Sequence, residues 1–210
     1  MSGRNLREER RENRRALSRD QIMDVAERLF ARKGFHDASL REIAELAEYS
    51  VGAVYGFFDS KDELYRAIFH RRTSAFLPGM SEVLSSALAP DAQLIALAEW
   101  QVRFFRGYPE FGRLVLRGGA IAAPLADPPE DSQTLASFRK SMDMQADLFR
   151  RGQRAGVLRE GDPGLLARMF SGLVTAFQAS ELAEDDLREL PLSVLTEAVR
   201  AAFITAPQRP

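Results

Sequence analysis

The chain contains no cysteine. Disulfides, thiolate zinc sites and cysteine nucleophiles are thereby excluded, and the composition fits a reducing compartment. No apolar run approaches the ~18 residues that a membrane span requires, and no apolar segment of the signal-peptide kind follows the arginine-rich N-terminus. A cytoplasmic protein with no membrane partner is expected. Only two histidines occur, His36 and His70, and neither stands beside a paired-carboxylate motif. Phosphate loops, dinucleotide fingerprints, zinc signatures and nucleophile elbows are also missing. The chain is therefore expected to be no enzyme, with no catalytic residue, bound metal or cofactor. Internal repeats and alternating segments of strand length are absent too, which leaves an all-α protein.

What is present is an ordinary globular composition of 210 residues, 45% hydrophobic and 28% charged, with a formal net charge of −1. Such a balance argues against a generally polycationic nucleic-acid binder, but the charge is unevenly spread. Residues 1–19 hold seven arginines against three glutamates. Residues 1–17, MSGRNLREERRENRRAL, read as a flexible arginine-rich arm, in which Arg4, Arg7, Arg10, Arg11, Arg14 and Arg15 are the candidates for DNA phosphates or a minor groove.

Ser18 with Gln21 forms a capping box, and Ile22, Val25, Ala26, Leu29 and Phe30 follow at helical spacing. Gly34 in the Lys33-Gly34-Phe35 turn suits a left-handed helix terminus, with Phe35 folding back on Phe30. Ser39 with Glu42 starts a second helix whose apolar face is Leu40, Ile43, Ala44 and Ala47. Ser50 caps a third after a turn of only Glu48 and Tyr49, and Ser60 with Glu63 opens a fourth. Two short helices joined that tightly predict a helix-turn-helix.

Residues 19–68, RDQIMDVAERLFARKGFHDASLREIAELAEYSVGAVYGFFDSKDELYRAI, resemble the DNA-binding domain of TetR/AcrR-type bacterial transcriptional regulators. The resemblance rests on the Lys-Gly-Phe turn, the Ser-capped Leu-Arg-Glu-Ile-Ala helix and the Val-Tyr, Phe and Ser-Lys residues at fixed spacing. It implies a three-helix reading domain over residues 18–60 and a larger helical domain over residues 61–206 that binds an effector and pairs two subunits. The implied activity is that of a ligand-released repressor, binding a pseudo-palindromic operator as a homodimer. An all-helical binding protein or enzyme without specific DNA binding is the competing class.

On the third helix, Val51, Val54, Phe57 and Phe58 fall on one side at 100° per residue, and Gly52, Ala53, Tyr55 and Gly56 on the other. The second side is expected to face the major groove. The resemblance adds Tyr55 and Lys61 as contacts to the DNA backbone, with Ser39 and Arg41 where the preceding helix meets phosphate. Ser50 and Val51, at the start of the reading helix, complete the candidate DNA-binding set with Arg14 and Arg15. No Arg, Lys, Asn or Gln lies between Val51 and Phe58, so two-point base recognition is not expected there, whereas Gly52 and Gly56 leave a flat face for close approach. Two departures from the family stand out: Glu48 occupies the place of a usual turn glycine, which predicts left-handed strain of about 1 kcal/mol, and Val51 that of a frequently polar residue.

Beyond residue 72 the pattern stays helical. Pro78-Gly79 is expected to kink or end the fourth helix, Asp91 to cap the fifth, and Pro109 to open a short sixth. Residues 118–132 read as a loop, and Glu184, Asp185 and Asp186 as a solvated turn. For the effector, small and apolar or aromatic, the candidates are Trp100, Arg103, Phe104, Phe138, Met142, Gln145, Phe149 and Phe170. Phe105, Arg117 and Gln178 are lesser candidates. For the homodimer, the apolar positions of the last two helices are proposed: Leu166, Met169, Leu173, Phe177, Leu195 and Val199.

Overall fold

A computed structural model describes residues 6–117, 133–182 and 188–205, with the side chains of Leu6, Arg7 and Thr134 left aside. The expected loop over 118–132, the acidic turn at 184–186 and Arg4 lie outside the described residues. Among the described residues there are nine α-helices, and the extended structure consists of an isolated antiparallel bridge between Leu158 and Ile204. The chain divides into two compact units, Met1–His70 and Arg71–Pro210. The division falls inside the fourth helix, beyond the boundary expected at Ser60.

In the first unit, α1 spans Leu6–Lys33, α2 Leu40–Leu46 and α3 Val51–Tyr55, and α4 begins at Lys61. The flexible arm and the helix start at Ser18 are both corrected by this arrangement, because residues 6–17 form the first turns of α1. Arg, Glu, Leu and Ala are good helix formers, and a preceding stretch that is itself helical overrides a capping signal. The Gly34 turn is as expected: its φ is +90°, its N–H donates to the Phe30 carbonyl at 2.8 Å, and the Phe30 and Phe35 rings lie 5.6 Å apart. Ile22, Ala26, Phe30, Ile43, Val54 and Ile68 are fully buried at the centre of this unit. Each such side chain contributes on the order of 1.5–3 kcal/mol by leaving water.

The second unit holds the remainder of α4 (Lys61–Leu84) and α5 (Pro90–Gly107), α6 (Pro109–Arg117), α7 (Gln133–Arg154), α8 (Pro163–Leu182) and α9 (Leu192–Phe203). Its core is built from Met80, Leu94, Ala98, Phe149, Phe170, Val199 and Phe203 among others. Two local expectations are narrowed or changed. Of the kink or end expected at Pro78, the end is excluded, since α4 continues to Leu84, and the following Gly79 has a packing reason: a Cβ there would lie 2.5 Å from the Trp100 ring. Pro90 rather than Asp91 opens α5, from an uncapped Ala89. Asp162 caps α8 as expected, accepting from Leu165 N at 2.6 Å.

Buried polar groups tie these helices together. Gln93 donates to the carbonyls of Leu84, the last residue of α4, and of Ser86 just beyond it, and its amide oxygen accepts from Arg151 of α7. Glu181, 5% exposed, accepts from Arg106 at 2.5 Å and from Leu190 N at 2.9 Å. The Glu181 carboxylate thereby raises the Arg106 pKa above its ordinary value, against the opposing effect of partial burial.

Candidate nucleic-acid interface and effector cavity

The α2–α3 pair is held by its serines. Ser39 Oγ accepts from Glu42 N at 3.1 Å, Ser50 Oγ from Ala53 N at 3.1 Å, and Ser60 Oγ from Glu63 N at 3.0 Å. Each cap satisfies a backbone donor that a helix start leaves open. The carboxylate halves of the capping boxes are used differently. Glu42 pairs with Lys33 at 2.5 Å, and Glu63 accepts from Asp59 N rather than from the cap residue itself. Between α2 and α3 Glu48 has a φ of +60°, as expected for a residue standing in a glycine's place. The neighbouring Tyr49 hydroxyl donates to Gln21 of α1 at 2.8 Å, fastening the turn to the first helix.

The outward side of this pair carries Ser39, Arg41, Ser50, Gly52, Tyr55 and Gly56, all exposed, and Ala53, half-buried. Val51 is exposed as well, which corrects its assignment to the side shared with the buried Val54 and Phe58. A Cβ at Gly52 would meet nothing within 4 Å, so no packing of the chain requires glycine there. Arg41 touches Glu45 at 3.4 Å, but both side chains are largely in water, and a pair of that kind leaves the guanidinium free to reach another anion. Tyr55 is 53% exposed. The surface thus offers a phenol, a guanidinium and bare backbone, which suits phosphate contact and close approach better than base-edge hydrogen bonding.

Lys61 is placed otherwise than its expected phosphate contact. Its ammonium donates to the carbonyls of Phe35 at 2.7 Å, Ala38 at 2.9 Å and His36 at 3.3 Å, and sits 4.4 Å from the Phe35 ring centroid. An ammonium has three donors, and these carbonyls take all of them. Lys61 therefore organises the α1–α2 turn. Arg15, by contrast, lies beside the reading helix: it reaches the Gly56 carbonyl at 3.4 Å and the Phe57 ring at 5.7 Å, while Arg19 stacks on Phe58 at 4.7 Å. Arg14 is exposed and reaches the Arg10 carbonyl within its own helix.

In the second unit the effector candidates separate into three places. Phe138 and Met142 line a cavity of about 300 Å³ between α7 and α8, together with Arg139, Asp143, Arg168, Ser171 and Thr175. Gln145 lies behind it, accepting from Ser171 Oγ at 2.9 Å. Trp100 and Phe104 instead join Phe76 in an aromatic group, with ring separations of 4.9–5.7 Å, and Arg103 pairs with Glu99 on the same helix. Phe149 and Phe170 are sealed in the core against Phe203. Of the lesser candidates, Phe105 and Gln178 border a smaller cavity of about 40 Å³ beside the Arg106–Glu181 pair.

The dimer candidates divide similarly. Leu166, Phe177, Leu195 and Val199 are buried within the chain's own core, so they present no surface to a partner, and Leu173 is half-buried. Met169 is exposed at 51%, and Leu165 and Val194, which the sequence reading passed over, are exposed at 49% and 57%. Leu165, Met169, Gly172 and Ala176 fall on one α8 face at helical spacing, with the exposed Arg168 at its edge.

Residues 22–68 match the family described as bacterial regulatory proteins, tetR family. The HTH-type transcriptional repressor Rv1474c of Mycobacterium tuberculosis is 31% identical over 169 residues, covering 77% of this chain and 87% of that one. The chain belongs to the tetR family. Relative to other tetR-family proteins it is sometimes matched only in part: it spans about half the length of the first curated relatives, including 53% of the transcriptional activator FasR of Mycolicibacterium smegmatis, at 30% identity over 117 residues and 55% of this chain. Among solved structures, AibR in complex with isovaleryl coenzyme A and operator DNA superposes with a TM-score of 0.74 at 20% identity, over 89% of this chain and 98% of that one. At that identity the likeness concerns the tetR-family fold alone. Among the described residues no helix is long and apolar enough to cross a membrane, and no group of three or more His, Cys, Asp or Glu is placed to hold a metal ion.

Proposed function

We propose that the protein is a DNA-binding transcriptional repressor that acts as a cytoplasmic homodimer and releases a pseudo-palindromic operator when a small effector binds. The observation that carries this reading is the serine-capped α2–α3 pair, whose outward face of Ser39, Arg41, Ser50, Val51, Gly52, Ala53, Tyr55 and Gly56 is open to a partner. Arg15 borders it through the Gly56 carbonyl, and Arg14, exposed one residue earlier on α1, is proposed to join it on DNA. Lys61 supports the face from behind, through the turn it bonds. With no long polar side chain on the reading helix, selectivity rests on DNA shape and on backbone contacts.

A second copy of this chain is the partner suited to the exposed Leu165, Met169 and Val194, because pairing would cover apolar surface that water otherwise wets. Two reading heads would then meet two half-sites. The effector is proposed to occupy the α7–α8 cavity, with its apolar body on Phe138 and Met142 and polar groups toward Arg139, Arg168, Ser171 or Thr175. Helix α4 begins in the first unit and ends in the second, so it is the covalent path along which occupancy would reach the reading pair.

Fluorescence anisotropy on DNA from the region upstream of the protein's own gene tests this reading. Salt-sensitive, sequence-selective binding is expected, abolished by Tyr55→Ala with Arg41→Ala, and weakened by small molecules extracted from the purified protein and identified by mass spectrometry. Sedimentation should give a dimer for the wild type and a monomer for Met169→Asp. Absence of selective binding, with or without the extracts, would favour an all-helical binding protein or enzyme instead.

A further inference from the structure

The N-terminal turns of α1 lie outside the packed part of the first unit. From Glu8 to Leu17 every described side chain is exposed or half-exposed, and the first fully buried residue of α1 is Ile22. The stretch is helical without a core to rest on, because it continues a helix already nucleated by packing further along. Its charges are sorted by face. At 100° per residue, Arg10, Arg14, Arg11 and Arg15 occupy an arc of about 140°, and Glu8, Glu12 and Glu9 the adjoining arc of about 100°. A solvated helix gains from interleaving opposite charges at i and i+4. Here four arginines crowd one side, where they repel one another.

The position of this stripe is given by Arg15, which closes it at the C-terminal end. That guanidinium lies against the Gly56 carbonyl at the end of α3 and over the Phe57 ring. The stripe therefore starts at the reading helix and runs from there for about 7.5 Å along α1, the rise of the five steps from Arg15 to Arg10.

We propose that this arginine stripe is a rigid extension of the DNA-binding surface, which engages backbone phosphates flanking the segment met by α3. The inference rests on the DNA-binding reading above and deepens it. Duplex DNA is the polyanion that fits, because the stripe is continuous with the helix that enters a groove and guanidinium forks match phosphate oxygens. Phosphate contacts of this kind add affinity without regard to sequence, so they suit a reading helix poor in base-specific side chains.

The test uses the full chain and a synthetic duplex of arbitrary sequence, several helical turns long, with affinity followed by anisotropy across a salt series. Replacing Arg10, Arg11 and Arg14 by Gln leaves Arg15 on its ring. It is expected to reduce the slope of log K against log[salt] by about 2–3 per chain and to weaken binding roughly ten- to a hundredfold at low salt. Ala16→Pro keeps every arginine but breaks the helix below the stripe, and the same reduction in slope is expected. A triple variant with the wild-type slope and affinity would overturn the stripe while leaving the helix-turn-helix reading intact. An unchanged slope for Ala16→Pro would overturn its rigidity. A wild-type chain that binds no duplex at any salt would overturn both readings together.

Discussion

Replacing Gly52 by alanine separates what the fold needs from what the proposed DNA contact needs. Gly52 lies in the first turn of α3, and a Cβ built there meets no atom within 4 Å. The fold should therefore accept alanine without strain. Removing the backbone entropy of a helical glycine should stabilise α3 by about 0.5–1 kcal/mol. For a chain of this length that corresponds to a rise of about 1–4 °C in Tm. On DNA the same methyl projects from the outward face, into whatever space the backbone was to share with the groove. Overfilling a close-packed contact costs about 1–3 kcal/mol, which is roughly five- to 150-fold in affinity. Thermal denaturation by circular dichroism and anisotropy on the upstream DNA measure the two effects. A more stable variant with undiminished affinity would refute close approach at Gly52, and a less stable one would refute the open geometry of the site.

Four further outcomes are expected. Glu48→Gly should stabilise the first unit by about 1 kcal/mol in urea denaturation, because it removes a side chain from a left-handed backbone. Lys61→Met should lower the stability of the same unit by about 2–3 kcal/mol, since three carbonyls lose their shared cation; a loss of DNA affinity without a loss of stability would return Lys61 to phosphate contact. Tyr65 is buried among Phe30, Phe35 and Phe69, and desolvation pushes its pKa up to about 12 from 10.0. The neutral phenol is thus favoured in the folded chain: its contribution is complete below pH 10 and falls away as pH rises toward 12, by about 2–3 kcal/mol, and Tyr65→Phe should remove this part of the alkaline loss of stability. Glu181→Gln should cost about 2–4 kcal/mol in the second unit, leaving Arg106 paired only with the exposed Glu189 and the Leu190 carbonyl.

The reading pair was the most readable part of the sequence, because its signals are local. A serine three residues before its donor, a glycine after a helix and an i, i+3, i+4 apolar pattern each act within a turn or two, and all three serine caps at 39, 50 and 60 are present. The Ser18 signal misled because a cap motif cannot report whether the chain before it is also helical. Long-range placement was less readable. Whether Leu166 faces its own core or a partner depends on what packs across α8, and Leu165 next to it, equally apolar, points the other way. The aromatic residues of α5 and α7 suggested one pocket, yet Trp100 and Phe104 pack with Phe76, and Phe149 with Phe203. Aromatic composition gives no direction, so the polar residues that complete the cavity, Arg139, Arg168 and Thr175, went unnoticed.

Lys61 is both the first residue of α4 and the cation that gathers the carbonyls leaving α1. A twist or shift applied to the start of α4 must carry that turn with it or part three hydrogen bonds at once. The first unit is in this sense geared rather than hinged at Lys61: a displacement arriving along α4 would tilt the reading surface as one body, leaving the spacing between α1 and α2 unaltered.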